Sequence, residues 1–378
     1  MDAIEEALEF DRAVDYHYGA FPPKDLDLKL LIGPLTEAVD AIARFDQILR
    51  ILPNRDILLA RLRNQEAVIS SRIEGTISTI DEILRYEAEF DNDDDAAAGV
   101  RSDVIETILY QRAMKQAQEA MEDGRPLSEW LIRSLHEVLL SFGRGAEKNP
   151  GQYKTKQNYL VDRTKRNVLF IPISPVRLHE GMLRLIEYID TSKDPALLKA
   201  AISHVEFEAL HPFDDGNGRT GRMLITLLLW REKHISSPHF YISGYLDEHK
   251  DEYIDLMRAV SSVGAWDEWC LFFLRALTAQ ARRNLHMGER IRDLYTESLA
   301  AFTGLFSSKW STVATDFVFE RPIFQISQMS NRTAIGDATA RRFVKLLEER
   351  GHLACIEPAA GRRPALYAFE PLLKLVRV

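Results

Sequence analysis

Apolar positions recur at helical spacing along most of the chain. Two amphipathic patterns open it, Asp27 to Leu49 and Asp56 to Ile73, with Pro53 punctuating the break between them. In the second, Ile57, Leu58, Leu62, Val68 and Ile69 follow the period that places side chains on one helix face. Six further patterns predict a bundle: Val104 to Met121, Ser128 to Leu140, Pro175 to Tyr188, Pro195 to Leu210, Arg219 to Lys233 and Asp247 to Val260. One stretch breaks the rhythm. Between Gln152 and Ile173, β-branched and aromatic residues flank a polar tip at Asp162 to Asn167, which predicts a β-hairpin whose edge is open to another chain. Near the C-terminus, Thr333 to Glu348 reads as a short helix, a turn at Gly336 and a second helix stopped by Gly351. Strand-like runs at Leu353 to Ile356 and Ala365 to Phe369 follow, the order of a winged helix-turn-helix. The expected fold class is mainly α, divided into 1–100, a bundle with a small hairpin at 101–285, a linker helix at 286–321, and the C-terminal segment 322–378.

Composition narrows the function classes. With 48 Lys plus Arg against 57 Asp plus Glu, the net charge of −9 argues against a protein whose whole body coats nucleic acid. Residues 322–378 run the other way, with nine basic side chains against five acidic ones. That local +4 makes Arg341, Arg342 and Lys345, with Arg362 and Arg363 at the wing tip, candidates for DNA phosphates; a protein-docking module is the alternative. Two cysteines, Cys270 and Cys355, exclude a disulfide scaffold and a cysteine zinc finger. The acidic opening and the absence of a long apolar run predict a cytoplasmic chain without membrane association. The run Asp91 to Asp95 is expected to be solvated rather than a calcium loop.

The chemistry concentrates in His211-Pro212-Phe213-Asp214-Asp215-Gly216-Asn217-Gly218-Arg219-Thr220-Gly221-Arg222. Pro212 ends the preceding helix and leaves His211 at its tip. Gly216 and Gly218 bare the backbone just where a new helix begins, and a helix start offers free N–H groups and a positive dipole end to an anion. Arg219 and Arg222, three residues apart, project from one face, where a polyphosphate would neutralise both. Asp215 beside them suits magnesium, which binds through one or two carboxylates plus substrate phosphate. A neutral imidazole at His211 is suited to accepting a hydroxyl proton. His204, Glu208 and His211 also share a helix face, but their order is not that of zinc hydrolases.

These twelve residues resemble the Fic family motif, HxFx[DE]GNGRxxR, at every fixed position. The resemblance implies transfer of AMP from ATP to a Ser, Thr or Tyr hydroxyl of a target protein, or of the chain itself, with release of pyrophosphate. It implies that His211 is the general base, Phe213 the loop anchor and Asp215 the magnesium ligand. Asn217 and the amides of Gly216 and Gly218 would bind the α- and β-phosphates, and Arg219 with Arg222 the β- and γ-phosphates. Tyr253 falls where relatives place an adenine contact, although a core aromatic is an equal reading. The hairpin resembles the family's target-docking flap, with Phe170, Ile171 and Pro172 as the docking positions.

Upstream, Ser70-Ser71-Arg72-Ile73-Glu74-Gly75 fits the family's inhibitory pattern, [ST]xxxE[GN]. Ser70 and Glu74 are one helical turn apart, and Arg222 can pair with Glu74 or with a γ-phosphate but not with both. The chain is then expected to be self-restrained. Related Doc toxins carry lysine at the position of Gly218 and lack the second arginine, so Gly218 and Arg222 favour AMP over phosphate as the transferred group. A nucleotide-sensing DNA-binding regulator, transfer of another phosphate-containing group, removal of AMP, and assembly as a homodimer are the alternatives carried forward.

Overall fold

The computed structural model describes residues 8–51, 55–89, 100–162, 164, 166–306, 309–361 and 363–377. Pro53, the acidic run at Asp91 to Asp95 and Arg362 lie outside them. The described chain is mainly helical, with two small three-stranded sheets. It divides into two compact units: 1–43, 69–75 and 109–281 form the first, and 44–68, 76–108 and 282–378 the second. Described residues of the first hundred positions fall in both units. Helices α1 (Leu28–Ile51) and α2 (Arg55–Ile73) each contribute one end to each unit. At 24 and 19 residues, they outrun a single core.

In the first unit, α4 (Ser102–Glu122) from Leu109 onward, α5 (Glu129–Leu139), α6 (Pro175–Thr191), α7 (Ala196–Leu210) and α8 (Asn217–Arg231) build the bundle. From Leu197 to Leu210 every α7 residue except Glu208 is buried, and so is all of α8 from Asn217 to Leu229. A helix buried on all sides is a core helix rather than an amphipathic surface one. Gly221 lets the two approach: a Cβ there would meet Glu208 Oε1 at 2.4 Å and Phe207 at 3.1 Å. Helices α9 (Ser243–Glu248), α10 (Lys250–Val263) and the start of α11 (Trp266–Phe306) complete the unit.

The hairpin is shorter than expected. Strand β2 covers only Leu160–Val161 and β3 Val168–Ile171, while residues 152–158 are irregular. Strand β1 (Val14–Asp15) pairs in parallel with β3, opposite Phe170 and Ile171, so the strand order is β1-β3-β2. Phe170 is paired on both sides, and the outer edges of this sheet belong to Val14–Asp15 and Leu160–Val161.

In the second unit, α3 (Ile80–Glu89) lays Ile80, Ile83, Leu84 and Ala88 into a core with Val68, Val104, Ile108, Ile323, Leu366, Ala368 and Leu373. Strand β4 (Ile323–Gln325), helices α13 (Ile326–Arg332) and α14 (Asp337–Glu349), strands β5 (Ala354–Glu357) and β6 (Leu366–Ala368) and helix α15 (Glu370–Val376) follow α12 (Ser311–Glu320). Their sheet has the order β4-β6-β5. The apolar stripe of α14, Ala340, Phe343, Val344 and Leu347, is buried, with Phe343 stacked on Phe306 at 3.8 Å.

Candidate active site

Helix α7 ends at Leu210 because Pro212 cannot continue it. His211 caps it in the left-handed region, at φ 45° and ψ 61°, a conformation costing a non-glycine residue ~1–3 kcal/mol. Its Nδ1 lies 3.4 Å from the carbonyl of Glu208. A proton held on that side leaves Nε2 with a bare lone pair. Burial, reinforced by the charge of Lys154, pushes the imidazole down to about 4, so it is neutral at ordinary working pH. Group transfer that relies on it is expected to lose rate only in an acid limb near pH 4, read from the pH dependence of kcat/KM.

The loop after His211 is held from within. Phe213 is fully buried and its ring stacks on His136 with centroids 3.7 Å apart. The Gly151 N–H donates to His136 Nδ1 (2.9 Å), and the ring proton on Nε2 is given to the Asp215 carbonyl (2.8 Å). Gly216, at φ 77°, turns the chain into α8. Asn217 ties the loop to itself. Its Oδ1 accepts the Phe213 N–H and its Nδ2 donates to the Phe213 carbonyl, both at 2.8 Å. The amide side chain is engaged in shaping the loop, which leaves the backbone N–H as what Asn217 offers an anion. Arg219 is buried beside Asp215, with 3.7 Å between their charged groups.

Arg222 closes the other wall. Its Nε donates to Ser70 Oγ (2.8 Å), and its Nη2 to the Ser70 carbonyl (2.9 Å) and Glu74 Oε1 (2.7 Å). Gly75, at φ 89°, ends α2 directly after the glutamate. Burial opposes ionisation of Glu74, but Arg222, Arg219 and His211 outweigh it and hold the carboxyl below its usual range. The same carboxylate sits over the glycine loop: a Cβ on Gly218 would fall 2.1 Å from Glu74 Oε1. Two tethers fasten this end of α2. Arg72 Nε and Nη2 both donate to Asp247 Oδ2 (3.1 and 2.8 Å), and Lys250 Nζ donates to the Ile73 carbonyl at 2.5 Å.

Glu74, His211, Gly218, Arg222 and Tyr253 line one cavity of about 650 Å³, within the range of ligand clefts. Tyr253 lines this cavity, is buried, and its hydroxyl donates to His204 Nε2 (2.7 Å). With His204 Nδ1 turned to the Gly221 carbonyl at 3.2 Å, both its ring nitrogens are occupied. Phe170 lines a neighbouring apolar recess of about 230 Å³. Ile171 is the residue of β3 paired with Asp15, and the Pro172 carbonyl accepts from Gln157 Nε2 (3.0 Å).

Glu208 was not singled out from the sequence beyond its place on the helix face, yet it lines both cavities. Its buried Oε1 has no hydrogen-bond partner among the described residues. Burial raises its carboxyl to about 8, against the pull of Arg222. The folded state thus keeps a proton that the unfolded chain releases near 4.5, so stability falls as pH rises from about 4.5 to about 8. Glu208→Gln removes that dependence. In thermal melts it is expected to match the parent near pH 4 and exceed its Tm by several degrees near pH 8.

Asp215 is the residue expected to hold magnesium. Its carboxylate accepts the Gly216 N–H (2.6 Å) and its side chain is 45% exposed. A half-exposed single carboxylate beside a phosphate-type loop fits a cation that takes most of its ligands from water and substrate.

The family profile described as Fic/DOC family N-terminal matches residues 32–119, and that described as Fic/DOC family matches 126–229, together just over half of the chain. The chain belongs to the Fic/DOC family. Among its Fic relatives is the protein adenylyltransferase Fic of Nematostella vectensis, 35% identical over 104 residues that cover 26% of this chain and 22% of that protein. Protein adenylyltransferase fic-1 of Caenorhabditis elegans is 33% identical over 104 residues, 26% and 18% of the two chains. The chain thus spans about a fifth of the length of these curated relatives. A uridine 5'-monophosphate transferase of Xanthomonas campestris pv. campestris is 27% identical over 135 residues, covering 33% of this chain and 25% of the relative. A Fic family protein from Desulfovibrio desulfuricans shares the fold at a TM-score of 0.58 and 20% identity, over 92% of this chain and 98% of that one.

Proposed function

We propose that this Fic protein transfers AMP from ATP to a Ser, Thr or Tyr hydroxyl of a protein, itself included, and that Glu74 restrains it. What supports this is one cleft in which a neutral His211 stands beside a glycine loop at a helix start and a buried arginine. His211 Nε2 accepts the proton of the hydroxyl as its oxygen attacks the α-phosphorus. The bond from that phosphorus to the bridging oxygen breaks, and pyrophosphate leaves. Backbone N–H groups at the start of α8 hold phosphate oxygens, and Arg219 and Arg222 neutralise the leaving charge. Magnesium, held by Asp215, would supply further neutralisation of the phosphates.

Restraint follows from the pairing of Glu74 with Arg222, which keeps the guanidinium from a γ-phosphate. Arg222→Ala is expected to weaken ATP binding and to lower transfer by ~100-fold or more; full activity in a label-transfer assay would contradict the phosphate assignment. Incubation of the Glu74→Gly protein with α-labelled ATP or UTP and cell lysate tests the activity itself. AMP on a protein hydroxyl, read by mass, is the expected product. UMP alone would place the chain with its Xanthomonas relative, and no label from either would end the proposal. For residues 322–378, the order helix, helix, strand, strand and the basic balance favour a winged helix-turn-helix that contacts DNA, to be tested by gel shift with and without that segment.

A further inference from the structure

Four consecutive carbonyls of the catalytic loop are bonded by two residues of one irregular segment. Lys154 Nζ donates to the Leu210 carbonyl (3.1 Å) and the Lys154 backbone N–H to that of Pro212 (2.8 Å). Asn158 Nδ2 donates to the carbonyls of His211 and Phe213, both at 3.1 Å. The pair is also coupled internally, since Lys154 Nζ donates to Asn158 Oδ1 (2.7 Å) and so orients the amide that reaches the loop. A second tie runs outward: Gln157 Nε2 donates to the carbonyls of Asn158 (3.1 Å) and Pro172 (3.0 Å), fastening the segment to the end of β3.

This arrangement is unusual in what it asks of Lys154. Its residue is only 3% exposed, and a buried ammonium is costly unless its donors are used. It sits at the C-terminal end of α7, where carbonyls carry the negative end of the helix dipole and a cation is favoured. The residue that needs holding is His211, in its left-handed backbone conformation. Released from these bonds, the backbone would relax towards commoner angles and carry the imidazole with it.

We infer that Lys154 and Asn158 form a clamp that positions His211, holding its backbone in the left-handed conformation that aims Nε2 at the incoming hydroxyl. The clamp's side-chain donors are spent on the loop's carbonyls and on each other. It acts through the loop, and it rests on the transferase reading given above. Because reacting atoms tolerate little misplacement, a shift of ~1 Å at the imidazole costs about a hundredfold in rate, while phosphate contacts from α8 and Arg222 are unaffected.

The test uses the full-length chain carrying Glu74→Gly, with kcat and KM for ATP measured by α-label transfer. Adding Lys154→Met or Asn158→Ala is expected to lower kcat by ~10–100-fold with KM for ATP within about threefold. Lys154→Arg, which keeps a donor and a cation, is expected to recover most of the rate. A kcat unchanged in both variants, a loss carried mainly by KM, or an arginine that restores nothing overturns the clamp. If Lys154→Met does not fold, Asn158→Ala decides by the same split between kcat and KM. The two proposals fail differently: an inactive Glu74→Gly parent refutes the transferase, whereas an active parent with indifferent clamp variants refutes only the positioning role.

Discussion

Glu74→Gly is expected to raise self-labelling from α-labelled ATP by at least ~10-fold, and by as much as ~100-fold. The carboxylate occupies Arg222 Nη2 at 2.7 Å and lies over Gly218, so it stands where a triphosphate would have to meet both the arginine and the loop. Arg222 is almost fully buried, with 2% of its side chain exposed, whereas Glu74 keeps 36%. Removing the glutamate therefore leaves a desolvated guanidinium in search of an anion, and ATP can supply one. The Ser70 contacts to Arg222 Nε and Nη2 remain, so the arginine stays aimed. Thermal shift by ATP is expected to grow in parallel with labelling. An unchanged labelling rate would remove Glu74 as the restraint.

His211→Ala in the same Glu74→Gly background is expected to reduce transfer by ~10²–10⁴-fold, with ATP binding retained. No other neutral imidazole lines the cavity among the described residues, and His204 and His136 have their ring nitrogens engaged elsewhere. Retention of label transfer would remove His211 as the base. A parallel loss of ATP-induced thermal stabilisation would indicate that alanine had released the loop rather than the proton acceptor.

The helices and the glycine loop were legible because each is encoded over neighbouring residues. Pro212, Gly216 and the two arginines lie within eleven positions, and the physics of a helix start links them. The pairing of Ser70 and Glu74 with Arg222 was legible only through resemblance, since 148 positions separate Glu74 from Arg222. Strand β1 escaped notice because two residues carry no alternation, and its parallel partner is 156 positions away in sequence, at Phe170 and Ile171. Helix α3 was missed although Ile80, Ile83 and Leu84 have helical spacing. The expected hairpin was too long at its start because Lys154 and Asn158 turn their polar groups to loop carbonyls instead of a ladder. His136 was invisible for a related cause: one histidine on an apolar helix gives no sign of whether it meets a carbonyl, a ring or a metal. Asn217 is a motif residue whose side chain also shapes the loop, which the motif alone does not convey.

The rival anion at Arg222 travels on the same polypeptide as the arginine it occupies. A tethered group of this kind acts at an effective concentration of the order of millimolar, which dilution does not lower. Basal turnover per molecule should then be the same at nanomolar and micromolar protein, and any change with dilution would point to a second chain taking part. Such a built-in rival also sets a threshold: a diffusing triphosphate must outcompete a local concentration fixed by covalent connectivity rather than by expression level.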